Sequence, residues 1–100
     1  MALSRVIWTE RAIDDMQNIR DFISKYSESK AIEQLQQIFG RENQLLTKPR
    51  SGGLQHGVIS KFEIRYLVQG RYKILYRHTE QEVFVLMVFD TRQDPEKLNL

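Results

Sequence analysis

Cysteine is absent from the 100-residue chain. That excludes disulfides, thiol chemistry and any cysteine-based zinc site. Only two prolines occur, Pro49 and Pro95, and there are five glycines. The single glycine-rich stretch, Ser51-Gly52-Gly53, lacks the Lys-Ser/Thr and the helix that a phosphate-binding loop requires, so no cofactor is expected. No apolar run approaches the ~20 residues that a membrane-crossing helix needs. The opening MALSRVIWTE lacks the long apolar stretch of a secretory signal and reads as a first strand. With no cysteine and no membrane segment, a reducing cytoplasm is the simplest compartment.

What is present describes one soluble domain spanning residues 1–100. The chain is 41% hydrophobic and 28% charged, a balance that is neither disordered nor membrane-like. The net charge of +2 hides an uneven distribution. Residues 47–79 carry seven cations (Lys48, Arg50, Lys61, Arg65, Arg71, Lys73 and Arg77) against Glu63 alone, a local charge of +6. A block of this kind attracts an anionic partner that the net charge does not announce.

Leu3 to Trp8 reads as a short strand, followed by Thr9 as a helix N-cap with Glu10, Asp14 and Asp15 near the positive helix end. Ala12, Met16, Ile19, Ile23 and Tyr26, widened by Ile13 and Phe22, form the apolar face of a helix of about four turns. Ser27-Glu28-Ser29 interrupts that pattern and caps a second helix, whose apolar face runs from Ala31 through Leu35, Ile38 and Phe39 to Leu45 and Leu46. Gly40 weakens that helix by about 1 kcal/mol relative to Ala. So short a link predicts an antiparallel helical hairpin. The stretch from Lys48 to Gly53 is rich in turn residues and ends the helical region.

The remainder alternates with strand period. Phe62, Ile64, Tyr66 and Val68 share one side of a strand, and Lys61, Glu63, Arg65 and Leu67 the other. Gln69-Gly70-Arg71 reads as the hairpin connection. Tyr72, Ile74 and Tyr76 then alternate with Lys73, Leu75 and Arg77. Val83 to Phe89 is apolar on both sides, as a strand covered on both faces would be. The result is an α+β fold of order β-α-α-β-β-β, with a helical hairpin on one face of a mostly antiparallel four-stranded sheet. The aromatic sides of both hairpin strands are expected against the helices. Lys61, Arg65, Lys73 and Arg77 are then expected together on the opposite face.

This order of elements, with the strand YKILYR and a last strand running into DTRQDP, resembles the RelE/ParE toxin superfamily of bacterial type II toxin–antitoxin modules. The likeness extends from Val6-Ile7-Trp8-Thr9 to Pro95-Glu96-Lys97-Leu98, and the ordered set carries it rather than any single motif. It implies a cognate antitoxin as partner and one of two activities. RelE-like members cut mRNA on the ribosome, whereas ParE-like members inhibit DNA gyrase. By position, Lys73 and Arg92 match arginines that RelE-like enzymes use on the cleaved phosphate, with Arg65 and Lys61 as further basic groups. Such chemistry needs cations for the phosphate and an acid for the leaving oxygen. Leu98 stands where those enzymes offer a tyrosine, and Asp94 and Glu96 add negative charge. A net +2 is also modest for lodging among ribosomal phosphates. The resemblance therefore implies a ParE-like gyrase inhibitor, with the ribosome-dependent ribonuclease as the alternative. Lys61, Arg65, Lys73, Arg77 and Arg92 are the candidate partner-binding residues.

Plainer readings stand beside these. Arg92 with Asp94 makes sense as a local ion pair, worth about 0–1 kcal/mol. The four cations on the sheet make sense as a solvated surface, and Asp94-Pro95 as a strand stop. His56 and His78 are expected in solvent without catalytic partners. Asp14-Asp15 suits a helix start better than a metal site.

Overall fold

A computed structural model describes residues 3–57 and 60–93. Its elements run β1 (Arg5–Trp8), α1 (Glu10–Ser24), α2 (Glu28–Phe39), α3 (Glu42–Thr47), β2 (Gly53–Leu54), β3 (Arg65–Gln69), β4 (Tyr72–His78) and β5 (Glu82–Asp90). The sheet has five strands in the order β1-β5-β4-β3-β2. The strand beyond the expected four is the two-residue β2, too short to leave an alternating pattern. Only β1 with β5 is parallel; the other pairings are antiparallel. Among the described residues no helix is long and apolar enough to cross a membrane.

Both predicted caps are in place. The Thr9 hydroxyl accepts from Ala12 N at 3.2 Å and donates to Val85 O at 2.9 Å, fixing the start of α1 against β5. Ser27 accepts from Lys30 N at 3.3 Å and starts α2. The expected long second helix instead divides at Gly40-Arg41 into α2 and α3. A Cβ at Gly40 would lie 3.0 Å from Gln36 O, so glycine suits the junction. Arg41 ties it to the sheet, donating to Val68 O at 2.7 Å.

The main core lies between helices and sheet. It joins Ala12 and Met16 of α1, Ile38 of α2 and Leu45 of α3 to Leu67, Tyr72, Ile74, Tyr76, Val83, Val85 and Val88. Burying each large aliphatic side chain here contributes about 1.5–3 kcal/mol. Trp8 meets Phe39 edge to face at 4.7 Å and closes the β1 end. The outward end of the predicted α1 stripe stays in solvent: Phe22 is half exposed and Tyr26 is 80% exposed. A second, smaller cluster of Ile64, Leu75, Met87 and Phe89 occupies the outer face of the sheet, with Tyr66 and Leu86 packed on it. So β5 is covered on both sides, as its unbroken apolar run requires.

One expectation of face is reversed. Phe62, Ile64, Tyr66 and Val68 were expected against the helices, but Leu67 of β3 enters the main core and Tyr66 lies on the outer cluster. The cause is the turn. Gln69 pairs with Tyr72, leaving the two-residue loop Gly70-Arg71, with Gly70 at φ +62°. A glycine with positive φ at the first loop position is the II′ hairpin pattern. A loop one residue shorter than the expected Gln69-Gly70-Arg71 moves every β3 side chain to the other face.

A bulge accompanies the end of β1. Tyr76 pairs with Val85 and Leu75 with Met87, leaving Leu86 unmatched. Beyond Val85, β5 has no strand on its β1 side among the described residues, and the Asp15 carboxylate of α1 accepts from Val88 N at 3.0 Å. Asp15 also pairs with Arg11 at 3.2 Å. An unpaired N–H at this partly buried position would be costly, so Asp15 holds α1 onto the sheet.

Candidate functional site

The five candidate cations do not share a face. Lys73 and Arg77 alternate with the core residues Ile74 and Tyr76 and therefore point outward. The Lys73 ammonium lies 4.2 Å from the Tyr66 ring centroid and donates to Gln55 Oε1 at 3.2 Å. The Arg77 guanidinium carbon sits 4.0 Å from the centroid of Phe62 and 4.7 Å from that of Phe84. Phe84 is the cross-strand partner of Arg77, whereas Phe62 reaches it from the segment preceding β3. Contacts of this type contribute about 0.5–1 kcal/mol when exposed and about 2 kcal/mol when desolvated. Lys61 is exposed in that preceding segment, outside any strand.

Arg65 departs from the expectation. It pairs with Tyr76 across the hairpin and shares its inward side, so Lys73 and Arg65 point to opposite surfaces. Its guanidinium donates to Gly52 O at 2.7 Å and to Arg50 O at 3.2 Å, and pairs with Glu63 at 2.6 Å. The buried Tyr76 hydroxyl completes the arrangement, donating to Pro49 O at 2.5 Å and accepting from Gly52 N at 3.2 Å. Arg65 and Tyr76 together bind the 49–52 loop. Gly52 is required there, because a Cβ would stand 2.5 Å from the Tyr76 hydroxyl and 2.6 Å from Tyr66 O.

Arg92 is held by its own strand end. Its Nη2 lies 2.9 Å from Asp90 Oδ2, and its Nε and backbone N–H both reach Asp90 Oδ1. The hydrogen bond from Arg92 holds the Asp90 carboxyl below its ordinary range and raises the guanidinium in turn. Among the described residues the ion pair at the sheet end is Arg92 with Asp90. Asp94, Pro95, Glu96 and Leu98, which entered the comparison with RelE-like enzymes, lie outside the described residues. Arg92 lines a cleft of about 460 Å³ with Asn18, Ile19 and Phe22 of α1 and with Tyr72 and Asp90. This cleft opens on the helix side, since Asp90 pairs with the core residue Tyr72.

Acid–base groups are no better placed. Burial raises the hydroxyl pKa of both Tyr72 and Tyr76, with Asp90 adding to the effect at Tyr72. Tyr66 lies beneath the Lys73 ammonium. His56 is exposed, and His78 is half-buried with Thr79 O 3.4 Å from its Nδ1. Among the described residues no group of three His, Asp or Glu side chains is arranged to hold a metal ion.

Sequence reasoning missed the aromatic seats of Arg77 and Lys73 because both depend on the β3 register and the β5 bulge. The alternation of cations with apolar residues along β4 was the available signal. It placed Lys73 and Arg77 correctly and said nothing of the rings beneath them.

Comparison with known proteins bears on most of the chain. A family model described as the ParE toxin of type II toxin-antitoxin system, parDE, matches residues 6–95. Among solved structures, one described as the chromosomal ParDE TA system from P. aeruginosa superposes with a TM-score of 0.71 at 20% identity. The match covers 89% of this chain and 96% of that chain, and at such identity it speaks for a shared fold. No curated protein matches the sequence.

Proposed function

This chain belongs to the ParE toxin family of type II toxin–antitoxin systems, and from that premise we propose that it inhibits DNA gyrase and is neutralised by a cognate antitoxin. In this reading it works in the cytoplasm, by binding, without cutting RNA. The observation that carries the choice is the separation of Lys73 from Arg92. Lys73 stands on the outer face over Tyr66, while Arg92 is bound to Asp90 in the cleft beside α1.

Phosphate cleavage requires cations converging on one phosphate and a group able to give up a proton near neutral pH. The matched cations are on different faces. Tyr72 and Tyr76 are buried, with proton affinities raised further. These facts favour a binding protein over the ribosome-dependent ribonuclease.

The test is a gyrase supercoiling and DNA-cleavage assay with purified chain, run beside a translation assay that maps mRNA breaks. Loss of supercoiling or accumulation of cleaved DNA is expected, with messages left intact. Unaltered gyrase at saturating protein, together with codon-positioned breaks that Arg92→Ala abolishes, would reverse the choice.

A further inference from the structure

The geometry points to the outer face of the sheet, around Arg77, as the docking site for an acidic segment of the antitoxin. This inference rests on the toxin–antitoxin reading and adds the surface and its chemistry. The first observation is an uncompensated charge. Among the described residues Arg77 has two rings as neighbours and no hydrogen-bond acceptor or carboxylate. Lys73 has a neutral amide and a ring. Glu63 and Glu82, acids in the segment before β3 and on β5, are engaged by Arg65 and Arg5.

The second observation is preorganisation. Phe62 and Phe84 hold the guanidinium in place while no described residue accepts from its N–H donors. A guanidinium so held is suited to take a carboxylate through two parallel hydrogen bonds, with little side-chain freedom left to lose. The third is the apolar surface beside it. Phe62 is 53% exposed and Val68 49% exposed, and Val68 pairs with Lys73 across the hairpin. Aromatic rings and arginine beside apolar side chains are the composition of a protein interface.

Nucleic acid suits the face less well. Lys73 and Arg77 are the cations placed on it, whereas a nucleic-acid binder typically spreads about 6–10 phosphate contacts along a track. The toxin–antitoxin family supplies a protein partner instead. Its segment here would carry a carboxylate for Arg77, a second acid for Lys73 and an apolar side chain against Phe62.

The experiment measures the affinity of the purified chain for the antitoxin encoded beside it, in wild type, Arg77→Gln, Arg77→Lys and Arg71→Gln. Arg71 is exposed at the hairpin turn, so its substitution removes the same charge elsewhere. Thermal unfolding confirms that each variant is folded. Arg77→Gln is expected to weaken binding about tenfold to a hundredfold, the range for losing hydrogen bonds to a charged group. Arg77→Lys should recover only a minor part of this, and Arg71→Gln should change affinity less than about threefold, as a rim charge does. Equal effects of Arg77→Gln and Arg71→Gln would overturn the inference and leave the toxin–antitoxin reading standing. Unchanged antitoxin affinity, with loss of gyrase inhibition or of binding to a single-stranded oligonucleotide, would assign the face to another occupant and overturn it too. Absence of any antitoxin binding by wild type would remove the reading itself.

Discussion

The two arginines on the β3–β4 hairpin make opposite uses of the same functional group. Arg65 turns inward and is consumed by the fold, donating to Gly52 O and Arg50 O and pairing with Glu63. Arg77 turns outward onto Phe62 and Phe84 and donates to no protein acceptor among the described residues. The difference follows from register, because a two-residue turn puts Arg65 beside Tyr76 rather than beside Lys73. A cation in a strand is therefore informative about function only once its face and its partners are known.

The comparison is tested most severely at the inner loop. Gly52→Ala forces a Cβ into the Tyr76 hydroxyl and the Tyr66 carbonyl, and a loss of about 3 kcal/mol or more is expected, the upper end for overpacking. Denaturant unfolding would show it as a lowered midpoint. Arg65→Gln should follow at about 1.5–3 kcal/mol, because carbonyls it serves lose charged donors. Tyr76→Phe should cost about 1–3 kcal/mol by leaving Pro49 O and Gly52 N without their partner. A neutral result for either would mean that the inner network does not hold the loop. Arg77→Gln should change stability by less than about 1 kcal/mol, the scale of an exposed cation–π contact. If it destabilised the chain as much as Arg65→Gln, the division between faces would fail.

The smallest effect concerns pH. The hydrogen bond from Arg92 holds the Asp90 carboxyl below the ordinary carboxylate range. A depressed carboxylate pKa gives stability that is fully present above the unfolded value and lost as pH falls through the folded one. Asp90→Asn should therefore flatten the dependence of unfolding on pH below about 4. An unchanged acid limb would show that this ion pair does not contribute to folding.

Much of this architecture was legible because it depends on local chemistry. Thr9 and Ser27 announced two helix starts through their hydroxyls, and the two-sided run Val83 to Phe89 announced a central strand. Gly40 marked a weak point, although a break into two helices also needs the Arg41 tether to Val68, a contact between residues distant in sequence. The β3 face was not legible, since Gln69-Gly70-Arg71 fits a hairpin with either two or three loop residues. The β5 bulge was hidden for a similar reason, because a strand apolar on both sides gives no alternation whose shift could be seen. Asp15 read as a helix-start acid, and only the bulge reveals that it receives Val88 N–H. The candidate cations came from the basic block and, for Arg92, from the family resemblance, and the fold then sorted them into Arg65 for the loop, Arg92 for the strand end, and Lys73 and Arg77 for the open surface.

The most direct measurement is side-chain NMR of the arginine Nε–H groups during titration with antitoxin, with Arg77 assigned through Arg77→Lys. A shifted, more slowly exchanging Arg77 signal is expected at saturation, while Arg65, whose Nε is buried and whose terminal nitrogens are bound to the loop and to Glu63, stays where it was. An Arg77 signal unmoved in the fully formed complex would contradict the account.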